Sequence, residues 1–92
     1  RAGAAERALC AAQNMAERFR TGDGFEAYLQ ETAVYEDGVW RVEGDGYTLE
    51  AALSDEETQA GVLRRAQVRA LCGGETVATL PCARYESAEA NQ

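Results

Sequence analysis

The stretch WRVEGDGYTLEA, Trp40 to Ala51, constrains the fold more than any other part of the chain. Asp45-Gly46 is the signature of a two-residue type I′ turn, whose central residues both need positive φ. Closing the turn there sets Val42 against Leu49 and Trp40 against Ala51 on one face. Arg41 then meets Glu50 on the other face. A slip of one residue would move every apolar side chain to the wrong face and part the arginine from its glutamate. The middle of the chain is therefore an antiparallel hairpin with one face to be covered.

The cover is the N-terminal segment AERALCAAQNMAERFR. At 100° per residue, Ala12, Met15 and Phe19 fall within about 40° of Ala8, with Ala5 and Ala16 alongside. Glu6, Gln13 and Glu17 lie opposite, and Cys10 falls on the polar side. Ala8, Ala12, Met15 and Phe19 are the expected packing residues. Ala2, Ala4 and Ala5 favour a helix but anchor it poorly, so that end is expected to project from the domain. Thr21-Gly22-Asp23-Gly24 ends the helix, with glycine free to take positive φ. Phe25, Tyr28 and Leu29 then recur at helical spacing, and Asp23 stands three before Glu26 as a capping box. A short second helix is expected near residues 24–32.

Past residue 38 the pattern is strand-like. Asp37-Gly38 marks a second turn, beside which Val34 and Tyr35 can add a short strand. Ser54 to Gly61, SDEETQAG, reads as a polar acidic loop. Val62 to Cys72 is a strand that turns at Gly73-Gly74-Glu75 and returns through ETVATLPCARY. A turn centred on Gly74 pairs Val68 with Leu80, Ala70 with Ala78, Ala66 with Cys82 and Cys72 with Thr76. Arg65, Gln67 and Arg69 face the other way. This register sets Cys72 too far from Cys82 for a disulfide, which needs Cα atoms within about 7 Å. Pro81 lacks an N–H and suits an edge strand. The fold class is α+β in one domain. A helix (1–20) and an αβ loop (21–37) with a short helix precede a four-stranded antiparallel meander (38–86) and a tail (87–92).

Ninety-two residues suffice for one thin core. The net charge of −7 opposes binding to nucleic acid or an anionic membrane surface. All nine basic residues are arginine, and lysine, histidine and isoleucine are absent, which reads as codon bias. Without histidine or lysine, Cys10, Cys72 and Cys82 have no conventional base. Three cysteines also make neither a disulfide framework nor a zinc site. Asp55-Glu56-Glu57 lacks the spaced oxygens and glycine of a calcium loop. The two GDG stretches read as turns, and Trp40 as a core residue. No catalytic, cofactor or metal residue is expected, and the chain reads as a non-enzyme.

A helix already running at the first residues, a variable αβ loop and an antiparallel meander together resemble the soluble part of a type IV pilin or a type II secretion pseudopilin. ALCAAQNMAERFRTGDGFEAY resembles the passage from such a helix into its globular head. DGVWRVEGDGYTLEAAL resembles a first head hairpin, and AQVRALCGGETVATLPCARYE a closing one. The resemblance covers most of the chain through loose motifs. The family's diagnostic residues (the cleavage site, the glutamate after it and the apolar helix) are not in this sequence, so no functional residue is carried over. The resemblance implies an exported subunit of the cell envelope, anchored by an upstream membrane helix. It would assemble with other pilin-like subunits and their machinery, with Cys10, Arg65 and Arg69 at subunit contacts. The competing expectation is a cystatin-like or other small exported binding module. The chain lacks a strand before the helix and the QxVxG wedge of a cystatin; Gln67-Val68-Arg69 is the nearest echo. A cone-shaped isomerase-type enzyme would need more helices and a deep pocket.

Overall fold

The computed structural model describes residues 3–22 and 24–87. Helix α1 spans Ala4–Thr21 and helix α2 Phe25–Thr32. Five strands follow: β1 (Val34–Glu36), β2 (Val39–Glu43), β3 (Thr48–Thr58), β4 (Gly61–Cys72) and β5 (Glu75–Ser87). They form one antiparallel sheet in the order β1-β2-β3-β4-β5. The expected four-stranded meander is thus five-stranded. Asp37 and Gly38 take positive φ (55° and 83°) and turn Val34–Glu36 back onto β2.

The helix stripe falls where its periodicity places it. Ala8, Ala12, Met15, Ala16 and Phe19 are buried against Leu49, Ala51, Ala66, Val68 and Ala70 of the sheet. Phe25 and Leu29 of α2 complete the core, Phe25 meeting the Phe19 ring edge-on at 5.2 Å. Trp40 is half-buried beside this core, with the Tyr35 ring 5.0 Å away. The start of α1 does not project as expected. The Arg7 guanidinium donates to the Asp45 carbonyl at 3.2 Å, tying the first turns to the β2–β3 hairpin. Ala2 and Asp23, the latter with its expected capping role, lie outside the described residues. Gly24 is the residue that caps α2.

Register follows the pattern in β2–β3, where Trp40 pairs with Ala51, Arg41 with Glu50 and Val42 with Leu49. In β4–β5, Ala66 meets Cys82, Val68 meets Leu80 and Ala70 meets Ala78. The turn itself is tighter than expected: Gly73-Gly74 closes it, Cys72 pairs with Glu75, and an irregularity beside Ala70 and Leu71 absorbs the extra residue. All three cysteines are free thiols.

The larger correction concerns residues 54–61. They are not a loop, because β3 runs unbroken to Thr58 and turns over Gln59-Ala60 onto Gly61. Two of the three acids there have a cationic neighbour on β4, so the strand matches most of its charge without leaving the ladder, while Glu57 stands opposite Val62. Asp55 lies 2.8 Å from Arg64, and Glu56 lies 2.9 Å from Arg65. Ser87, expected in the tail, still pairs with Gly61, and the rest of the expected tail lies outside the described residues.

Candidate interaction surface

Because α1 covers one face of the sheet, the opposite face is the open one. Period-two alternation decides what lies there. The side chains of Glu50, Ala52, Ser54 and Glu56 on β3 stand beside those of Arg65, Gln67 and Arg69 on β4. Thr79, Pro81, Ala83 and Tyr85 continue the face onto β5. Arg64, next to Arg65 in sequence, is on the helix side instead, sharing the alternation of Ala66 and Val68.

The face has two zones. Toward β2 it is a charged ladder centred on Glu50. Arg41 donates to Glu50 Oε2 through Nε at 3.2 Å and Nη2 at 3.0 Å. Arg69 Nη2 donates to Oε1 at 2.5 Å, and Arg41 Nη1 reaches Glu36 at 2.6 Å. The Glu50 side chain is only 13% exposed. Hydrogen bonds from Arg69 and then Arg41 hold its carboxyl below the ordinary glutamate range, against the opposing effect of burial. Arg41 is correspondingly raised, first by Glu50 and then by Glu36.

Toward β5 the charges stop. A shallow trough of about 670 Å³ opens there, with Ala52, Ser54, Gln67, Pro81 and Ala83 among its lining residues. Small side chains on neighbouring strands make this depression. Arg65 borders it and is paired with Glu56, while keeping 54% of its side-chain surface exposed. The trough therefore offers apolar surface, one hydroxyl, one amide and one neutralised guanidinium. That set suits shape-complementary contact better than bond-making chemistry.

The structure gathers the four packing residues Ala8, Ala12, Met15 and Phe19 in the core. It keeps the three expected contact residues apart: Cys10 is exposed on the outer side of α1, whereas Arg65 and Arg69 lie on the open sheet face. Cys82 points toward the helix side, its thiol 3.7 Å from the Ala66 carbonyl, and burial raises its pKa. A thiol held protonated in this way is a packing group. Among the described residues no group of three or more Cys, Asp or Glu is arranged to hold a metal ion.

Sequence reasoning missed Arg84. Its Nη1 donates to the Phe19 carbonyl at 2.7 Å, its Nη2 lies 3.0 Å from Glu86, and its guanidinium sits 5.0 Å from the Phe19 ring centre. It thus caps the end of α1 from across the sheet. Gly22, with φ 73°, leaves the space that this side chain fills. Alternation alone placed Arg84 on the buried face, beyond Cys82, and that was the signal available.

No protein-family model, curated protein or solved structure matches this chain.

Proposed function

We propose that the chain is the head of a pilin-like structural subunit, working through contacts with like subunits and their assembly machinery in the cell envelope. One observation carries this reading. A single amphipathic helix lies along a sheet whose strands follow one another strictly in sequence, so the helix leads directly into the head. The outer side of α1 supports it: Leu9 is 40% exposed and Cys10 is exposed beside it, leaving surface for a neighbour. Among the described residues no helix is long and apolar enough to cross a membrane, so a membrane helix belonging to this reading would lie upstream. Its role is non-enzymatic: the subunit makes contacts and carries no cofactor.

The coding sequence immediately upstream of Arg1 tests the proposal. The expected finding is a short basic leader, a glycine before a cleavage point, and an apolar run of about 20 residues continuous with α1. A cleavable secretory signal followed by a flexible linker would overturn it. That outcome would favour the second reading, an exported binding module, whose support is the trough on the open sheet face.

A further inference from the structure

Helix α1 packs chiefly on β4 and β5, so the same face of β2 is left partly covered. Between the helix and the β2–β3 hairpin a cavity of about 260 Å³ opens. Its most buried lining residues are Met15 and Leu49, each 2% exposed, with Val42 beside them. Tyr28 of α2 and Tyr47 of the hairpin add aromatic walls. Gly44 makes room for one of these walls. It has no positive φ, yet a Cβ there would collide with the Tyr47 ring.

The flank of α1 that borders the cavity is built from Arg7, Ala11, Asn14 and Arg18, which fall within about 60° of one another on the helical wheel. Arg7 ties one end of the flank to the hairpin through the Asp45 carbonyl. Arg18, at the other end, is engaged differently. Its guanidinium lies over the Tyr28 ring, 4.5 Å from the ring centre. Tyr28 in turn leans on the buried Phe25 ring, with centroids 6.5 Å apart. Such stacking fixes the plane of a guanidinium and uses none of its N–H donors.

The other described arginines use theirs. Arg20, Arg41, Arg64, Arg65 and Arg69 face carboxylates, and Arg7 and Arg84 donate to carbonyls. Among the described residues neither the Arg18 nor the Asn14 side chain donates a hydrogen bond. A chain with sixteen acids therefore leaves the Arg18 guanidinium without an acceptor, held flat beside an apolar cavity.

We infer that this cavity binds a small monocarboxylate with an aromatic or branched apolar body. Arg18 takes the carboxylate in a two-oxygen fork. Asn14, one helical turn earlier, offers its amide N–H to the same group. The body lies between the tyrosines, against Met15, Val42 and Leu49. Charge selects the acid, since an amine would meet a cation and a neutral molecule would leave Arg18 unmatched. Volume limits the ligand, because sites for drug-sized molecules occupy about 300–1,000 Å³ and this one is smaller. An aspartate or glutamate of a neighbouring chain would supply the charge without the apolar body. The inference rests on neither functional reading above and survives the failure of both.

Titration with phenylpropionate, followed by amide-detected two-dimensional NMR, tests it, with phenylpropionamide and propionate as comparisons. The expected result is a saturable shift confined to amides around Asn14, Arg18, Tyr28 and Tyr47. For so few atoms the dissociation constant should be about a millimolar. Removing the charge (phenylpropionamide), removing the body (propionate) or substituting Arg18→Gln should each weaken binding by about tenfold or more. Arg18 is exposed, so the melting temperature of Arg18→Gln should be nearly unchanged. Arg18→Lys should recover only part of the affinity, because it restores the charge without the fork. No saturable shift, shifts centred on the open-face trough, equal binding of the acid and its amide, equal binding of propionate, or an affinity indifferent to Arg18→Gln would each overturn the inference.

Discussion

The long strands β3, β4 and β5 pass through two environments, and what holds them changes on the way. At one end, Leu49, Ala51, Val68 and Ala70 lie under α1 and are at most 2% exposed. At the other, the same strands carry Asp55, Glu56, Arg64, Arg65 and Glu86, joined in cross-strand ion pairs. The first end is held by burial of apolar surface. The second is held by backbone pairing, with charges that match without driving folding. The contrast teaches that a continuous ladder need not be uniformly stable. Water sees the charged end in both folded and unfolded states, so its ion pairs add little. Opening should therefore begin at the Gln59-Ala60 turn and stop where α1 begins to cover the sheet.

The largest expected loss comes from the covered end. Phe19 is 3% exposed and touches Phe25, Arg84 and the sheet-facing stripe of its own helix. Phe19→Ala should cost about 3–5 kcal/mol, read by urea unfolding followed through Trp40 fluorescence. A domain of this size has only about 5–10 kcal/mol in hand, so the variant should be close to unfolding at 37 °C. A loss under about 1 kcal/mol would mean that α1 is not the main cover of the sheet.

How much of this was legible before the structure depends on the kind of signal. Asp45-Gly46 fixed its hairpin because the turn chemistry and both side-chain faces agree on one register. The Ala8–Phe19 stripe was legible because its period is unmistakable. The acidic run was misread because composition suggested solvent and no Gly, Asn or Pro marked the turn at Gln59-Ala60. A mirror test would have found it: Asp55 and Arg64, like Thr58 and Gly61, are equidistant from that turn. The Asp37-Gly38 turn pointed to the fifth strand at Val34 and Tyr35, but three exposed residues carry too little pattern to count it in the meander. The open sheet face could be assigned from alternation, but the trough could not. It depends on how small side chains on adjacent strands combine, which no single strand records.

The boundary between the two environments is Arg84, and it should rank second. Arg84→Ala removes a charged hydrogen bond to the Phe19 carbonyl and the guanidinium over the Phe19 ring. The expected cost is about 1.5–3 kcal/mol by the same unfolding measurement. Gly22→Ala tests the same junction from the other strut. Its new Cβ would lie 2.8 Å from Arg84 Nη1, at a residue with φ 73°. A cost of about 1–2 kcal/mol is expected from the left-handed backbone alone. If neither variant matters, the end of α1 is held by its apolar stripe and the junction is not a strut.

Acid should act on the charged parts first. Glu50 and Glu86 are both held below the ordinary value of 4.5, by Arg69 and Arg41 in one case and chiefly by Arg64 in the other. A carboxylate with a depressed folded pKa binds fewer protons folded than unfolded, so it stabilises the fold above its unfolded pKa. That contribution is lost as pH falls through the folded value. Stability should therefore be level above about pH 5 and decline below 4.5, through the range between the unfolded and folded values. Glu50→Gln should flatten part of that decline, measured as unfolding free energy against pH. An unchanged acid limb would show that the Arg41–Glu50–Arg69 ladder does not form in solution.

The smallest expected effect is the most informative about the far end. Arg65 and Glu56 lie 2.9 Å apart, with side chains 54% and 56% exposed. A double-mutant cycle with Arg65→Ala and Glu56→Ala should return a coupling below about 1 kcal/mol, reduced further at high salt. Hydrogen exchange on the same variants gives the sharper reading. If the far end is held by its backbone ladder, amides near Gln59-Ala60 exchange through local opening at nearly the same rate with or without the pair, while those beside Val68 exchange only on global unfolding. A coupling well above 1 kcal/mol, with protection near the turn collapsing in the single variants, would reverse the assignment. The charged end would then be a second source of stability, and the division between a core that folds the chain and a ribbon that extends it would fail.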